Sequence, residues 1–207
     1  MRRLAGAPGI ALCFGSVLVA VAALDGAAQT ASDPTVDRVE VVTSHGSVAI
    51  EIYTEAAPVT AENFLAYVDD QLFDGGSFFR VVRPDNQPND SIRIEVIQGG
   101  PPSGTRDRLR PAIALERTVD TGVLHVDGAI SMARGGPDTA RSQFFICIGD
   151  QPELDYGGHR NPDGQGFAAF GRVVEGMDVV RAIQSGAVDG QRLTEPVTIL
   201  SIRRSER

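Results

Sequence analysis

Ser131-Met-Ala-Arg-Gly-Gly-Pro-Asp-Thr-Ala-Arg-Ser-Gln-Phe-Phe-Ile146 is the most informative stretch of this 207-residue chain. Apolar runs at its two ends predict strands over Ala129–Ala133 and Gln143–Ile148, joined by small and polar residues. Phe144 and Phe145 are neighbours in the second strand. Successive strand side chains point to opposite faces, so one ring is expected in an interior and the other on an outer surface.

The flanking sequence repeats this short-strand pattern. Arg38–Thr43 and Ser47–Tyr53 alternate polar and apolar residues around the turn Ser44-His45-Gly46, which predicts a β-hairpin. Pro58 suits a first helical turn, and Ala61, Phe64, Leu65 and Val68 follow the spacing of one helical face. Further strands are expected at Ser77–Arg83, Ile92–Gln98, Phe167–Val173 and Val197–Arg203. A second helix is expected at Met177–Gln184, with Asp178 in its first turn and Gly186 just past its end. Twenty-three glycines and 12 prolines supply the turns. Many antiparallel strands with two helices predict a mainly β fold, a closed barrel with helices capping its ends. Three long loops stand out, Pro84–Ser91, Pro101–Asp120 and Tyr156–Gly166. No fixed-period repeat is present, so residues 36–207 read as one domain.

Composition narrows the class. Apolar residues make up 42% and charged residues 22%, as in an ordinary globular protein. A net charge of −8 argues against nucleic-acid binding, which needs clustered Lys and Arg to meet phosphates. All 19 basic residues are arginine, a bias expected of GC-rich bacterial coding rather than of any one site. Residues 1–28 have the parts of a secretory signal peptide: Arg2 and Arg3, an apolar run from Leu4 to Leu24, then Gly26, Ala27 and Ala28. Cleavage is expected after Ala28, with Ala23 as the second site, and an uncleaved membrane anchor over residues 4–24 is the alternative. Leu12 before Cys13 is too large for a lipoprotein processing site. Residues 29–35 read as a linker. The expected destination is the periplasm or the exterior. Cleavage would leave Cys147 as the one cysteine, so no intramolecular disulfide could form.

Three segments carry a more specific reading: Ser77-Phe-Phe-Arg-Val-Val82, Val96-Ile-Gln-Gly-Gly100 and the opening stretch. In this order the chain resembles the cyclophilin family of peptidyl-prolyl cis–trans isomerases. Thr60-Ala-Glu-Asn-Phe64 and Phe170-Gly-Arg-Val-Val-Glu-Gly-Met177 extend the resemblance from about Val42 to the C-terminus. The resemblance implies an eight-stranded antiparallel barrel closed by two helices, with a shallow proline-binding groove outside. It implies Arg80 and Gln98 as catalytic residues. Phe78, Val96, Ala133 and Arg134 would bind substrate, together with Gln143, Phe145, Leu154 and Phe167. No metal or organic cofactor is implied. The partners would be proline-containing unfolded or extended polypeptides, and the default assembly is a monomer.

The chemistry suits those residue types. Rotating an X–Pro amide breaks its conjugation against a barrier of roughly 20 kcal/mol, but breaks no covalent bond. No nucleophile is needed. The twisted state has a pyramidal proline nitrogen with its lone pair restored, and a guanidinium can donate to that lone pair far better than to the planar amide. Apolar walls would hold the pyrrolidine and exclude water, while Gln98 and Gln143 can orient Arg80 or hold substrate amides.

Other chemistries find little support. Cys147 lies in an apolar strand with no adjacent base and reads as structural. His45, His125 and His159 lack metal-ligand spacing. Ser131 lacks the flanking glycines of a nucleophile elbow.

Departures from the family pattern fall around the groove. Arg80 and Gln98 are separated by the inserted Pro84–Ser91 loop. Glu95 stands where an aromatic is common, which leaves Val96 as the expected wall residue. Glu153 stands where many members have a tryptophan important for cyclosporin, so weak cyclosporin binding is expected. Phe167 replaces a frequent histidine, and the Tyr156–Gly166 insertion is expected to border the groove.

Overall fold

The computed structural model describes residues 36–87 and 92–205, all within one compact unit, Ser32–Arg207. The leader, the linker and positions 88–91 of the first inserted loop lie outside the described residues.

Strands β1 (Val36–Thr43) and β2 (Gly46–Tyr53) form the hairpin that their alternation predicts. Helix α1 (Pro58–Asp69) follows, with Ala61, Phe64, Leu65 and Val68 all buried. Strands β3 (Ser77–Val82) and β4 (Val96–Gly100) pair antiparallel. The long loop after β4 contains a 3-10 helix, Ser103–Arg108, and one α-helical turn, α2 (Thr118–Thr121), which ends on left-handed Gly122. Strands β5 (Ala129–Met132), β6 (Phe144–Cys147) and β7 (Ala168–Glu175) complete the middle of the sheet. Helix α3 (Met177–Gln184) leads to the two-residue β8 (Val188–Asp189) and the long β9 (Arg192–Arg204).

The sheet order is β1-β2-β7-β5-β6-β4-β3-β9-β8, and β1 also pairs with β9. Eight strands therefore close into the expected barrel, and β8 is a short addition beside β9. Closure leaves no long open edge for another chain to pair with. α1 and α3 are the two expected helices. α2 is a third, too short to show in the sequence pattern.

Two strand boundaries differ from expectation by more than two residues. Ile92–Glu95 is not strand, because the Gln87 side chain takes the place of a neighbouring strand. Its Nε2 donates to the Ile94 carbonyl at 2.9 Å and its Oε1 accepts the Ile94 N–H at 3.2 Å. β9 begins five residues early because Gly190, at a φ of +59°, makes a tight turn that pairs Arg192 with Asp189.

The barrel interior is filled by aromatic rings. Phe64 lies 5.2 Å from Phe73, 5.5 Å from Phe144 and 5.2 Å from Phe170, with Phe144 edge-on. A second apolar cluster lies on the outside of the barrel wall. It comprises Val82, Ile94, Val96, Ala129, Phe145, Cys147 and Leu154, with Ala133 and Phe167 against it. β6 serves both, since Phe144 and Ile146 face inward while Phe145 and Cys147 face outward. Among the described residues no helix is long and apolar enough to cross a membrane.

Candidate active site

The site is organised by a bulge in β3. Phe78 pairs with Gly99, yet Arg80 pairs with Gln98, the very next residue of β4. Phe79 is the extra residue. In a regular strand Phe78 and Arg80, two apart, would share a face. The bulge breaks that parity. Phe78 turns inward, fully buried against the edge of Phe144 at 5.7 Å, while Arg80 turns outward beside Gln98. The expectation that Phe78 lines the groove is therefore corrected. Gly99 is needed beneath it, because a Cβ there would lie 2.8 Å from the Phe78 ring.

Arg80 is half-buried at the mouth of a pocket of about 250 Å³. Val96, Phe145, Leu154 and Phe167 form apolar walls, and Gln98, Ala133 and Arg134 complete the rim. Phe145 and Phe167 meet edge to face at 5.3 Å. Gln143 does not line this pocket. It lies in an adjoining hollow of about 390 Å³ that shares Gln98, Ala133 and Arg134 with the first. The two hollows form one continuous groove.

The guanidinium is held from two sides. Its Nη1 donates to Gln98 Oε1 at 2.8 Å, and Gln98 Nε2 in turn donates to Gln143 Oε1 at 3.0 Å. From the other side Gln191 Oε1 accepts from Nε at 3.0 Å and from Nη2 at 2.5 Å. Three of the five N–H groups of an arginine are thus committed, and two have no protein partner among the described residues. Burial pulls the Arg80 pKa below its usual value, and the nearby positive charge of Arg160 adds to the shift. Its starting value is high enough that the group remains a cation at neutral pH.

Gln191 was invisible in the sequence. It sits 111 positions from Arg80, in the β8–β9 turn, and only the closed barrel brings the two together. Ile94 is a second pocket residue that sequence reasoning missed. Glu95 points away from the pocket, where it accepts from Gln184 at 3.1 Å.

The Tyr156–Gly166 insertion forms one wall. Arg160 and Asn161 line the pocket, and Asp163 grips Arg134 with two bonds of 2.8 and 2.9 Å. Arg134 also donates to the Gly166 carbonyl and lies 5.1 Å over the Phe167 ring. The ion pair holds the Asp163 carboxyl at a pKa of about 2. Gly166, at a φ of +65°, presses on the backbone beneath it, and a Cβ would meet the Asp155 carbonyl carbon at 2.5 Å. Glu153 is turned towards this insertion, accepting the His159 N–H at 2.8 Å.

Cys147 is buried, and burial pushes its thiol pKa far up, so it is no nucleophile. His125 and Ser131 are nearer to each other than the sequence suggests. Ser131 Oγ lies 2.9 Å from His125 Nε2, and His125 Nδ1 lies 2.7 Å from Asp155 Oδ1.

The fold and site together are a closed eight-stranded barrel with a guanidinium held at the rim of an apolar outer groove. The chain belongs to the cyclophilin type peptidyl-prolyl cis–trans isomerases, whose family model matches residues 38–204. It is 31% identical over 200 residues to a peptidyl-prolyl cis-trans isomerase of Acinetobacter baylyi, covering 94% of each chain. It is 36% identical over 165 residues to one of Streptomyces antibioticus, covering 78% of this chain and 91% of that one. Its fold is also that of a cyclophilin type isomerase of Cryptosporidium parvum, with a TM-score of 0.66 at 21% identity, over 83% of this chain and 99% of the other.

Proposed function

We propose that this protein accelerates X–Pro bond rotation in exported polypeptides as they fold, with Arg80 stabilising the twisted amide. The observation that carries this reading is the state of Arg80: held by Gln98 and Gln191, with two N–H donors left over at the mouth of an apolar pocket. A proline ring seated on Phe145, Leu154 and Phe167 would bring its nitrogen under those donors. As the amide twists, the nitrogen lone pair emerges and accepts a hydrogen bond that the planar amide cannot usefully accept. The apolar walls exclude water and strengthen that bond. The adjoining hollow would take substrate residues beside the proline. A C. parvum relative of the same fold was crystallised in the presence of the dipeptide Ala-Pro, which fits a ligand of this size and chemistry.

The test compares isomerisation of an Ala-Pro peptide by wild type and Arg80→Ala. A loss of roughly 10²-fold is expected for removing a transition-state donor. Equal rates would overturn the mechanism, and an inactive wild type that still binds the peptide would mark a binding module instead. Export rests on the character of residues 1–28. N-terminal sequencing of the protein recovered from its native cell should begin after Ala28 or Ala23. A retained segment would mean an anchored form.

A further inference from the structure

Directly behind the pocket lies an Asp155–His125–Ser131 chain that the mechanism above does not use. His125 and Ser131 are almost wholly buried, at 1% and 0% exposure. The arrangement has the residues of a hydrolytic triad, yet no substrate carbonyl could reach Ser131 Oγ without opening the barrel wall. Its chemistry is therefore structural, and its position is what matters.

The His125 ring stacks on Phe145 with centroids 6.0 Å apart and planes 13° from parallel. It meets Phe167 nearly at right angles, 78°, at 6.5 Å. These are the two rings that form the pocket walls, and they stand at 87° to each other. The three planes are mutually dependent, so an imidazole fixed in one orientation sets the attitude of both phenyl rings. The imidazole is fixed at both ends. Nδ1 shares a hydrogen bond with the Asp155 carboxyl at 2.7 Å, and Nε2 shares one with the Ser131 hydroxyl at 2.9 Å, whichever of the two carries that proton. Turning the ring would break both bonds. The same histidine also ties down the segment that carries Leu154. Its N–H donates to Asp155 Oδ1 at 3.1 Å, and its carbonyl accepts the Gln151 N–H at 2.7 Å. Ser131 is the register partner of Phe145 across β5 and β6, so its hydroxyl and that ring share the outward face.

We propose that His125 is a positioning residue for the isomerase reaction: clamped between Asp155 and Ser131, it sets the Phe145 and Phe167 walls that hold the proline ring under Arg80. This rests on the isomerase reading given above. The apolar wall area survives if the clamp is loosened, so peptide affinity changes little. What is lost is the placement of the proline nitrogen against the guanidinium, which counts only in the twisted state.

The experiment uses Ser131→Ala, which removes one bond of the clamp, and His125→Phe, which keeps a ring but removes both side-chain bonds. Exchange NMR on a saturating Ala-Pro peptide gives kcat, titration gives Kd, and aromatic relaxation gives the ring-flip rates of Phe145 and Phe167. The expected result is kcat down about tenfold, Kd changed less than about threefold, and faster ring flips, in protein that urea unfolding shows to be folded. Asp155→Asn, which keeps an acceptor, should lose less than Asp155→Ala. Folded Ser131→Ala with wild-type kcat and wild-type ring flips overturns the proposal, and it is the deciding variant if His125→Phe does not fold. If wild type shows no turnover, the isomerase reading falls separately. The clamp is then judged on ring flips alone, and unchanged flips would overturn it.

Discussion

Replacing Gln191 with Ala tests the site where it is least obvious. The substitution removes the acceptor of two of the three protein hydrogen bonds to Arg80 and leaves the Gln98 bond in place. A hydrogen bond to a charged group is worth about 1.5–3 kcal/mol net, but water replaces much of a lost acceptor at a half-exposed group. The catalytic cost comes from geometry. A guanidinium pinned by Nη1 alone can pivot about that bond and sweep its free N–H groups away from the proline nitrogen. Misplacement by about 1 Å can cost on the order of 10²-fold, and complete loss of the donor sets the same ceiling. Partial pinning by Gln98 should leave the variant near the midpoint of that range. A fall of about tenfold in kcat/KM is expected, equivalent to about 1.4 kcal/mol. Gln191 lies in an exposed hairpin turn, so the urea midpoint should barely move. The assay is the rate of cis–trans exchange of an Ala-Pro peptide, with Gln98→Ala and the double variant completing a cycle. A folded Gln191→Ala enzyme with wild-type kcat/KM would refute the argument that this turn holds Arg80 in place.

Other expectations follow from the same geometry. Phe78→Leu should lower unfolding stability and leave peptide affinity intact, while Phe145→Leu should weaken peptide binding; matching losses of affinity would put Phe78 back in the groove. Phe78→Ala should cost about 3–5 kcal/mol in urea unfolding, the scale of a deleted buried ring. The Asp163 carboxyl, depressed to a pKa of about 2, contributes stability that is present above its ordinary value near 3.8 and is lost as pH falls through about 2. The stability gap between wild type and Asp163→Asn should therefore shrink between about pH 4 and about pH 2, and a constant gap would show that the Arg134 pair is not its source. Cyclosporin should bind weakly, since Glu153 is engaged with the backbone of the insertion rather than offering an aromatic surface; nanomolar affinity by direct titration would contradict this.

Much of this protein is legible in its sequence. The helical face of α1, the hairpin of β1 and β2 and the split duty of Phe144 and Phe145 all follow from side-chain periodicity, which is a local property of the chain. Arg80 and Gln98 could be paired because family-like motifs surround each of them. What periodicity could not supply was a break in periodicity. The β3 bulge shows no signal in Ser77–Val82, and it decides that Phe78 belongs to the core and Arg80 to the groove. Contacts between distant segments were equally hidden. Gln191 reaches Arg80 across 111 positions, and Asp155 reaches His125 across 30, because barrel closure and the folded insertion bring those turns to the pocket. Sequence alone therefore determined most of the strands, the two longer helices and the pairing of Arg80 with Gln98. The tertiary structure decided which way each side chain points and what holds Arg80 still, since both depend on register and closure, which no short stretch of the chain encodes.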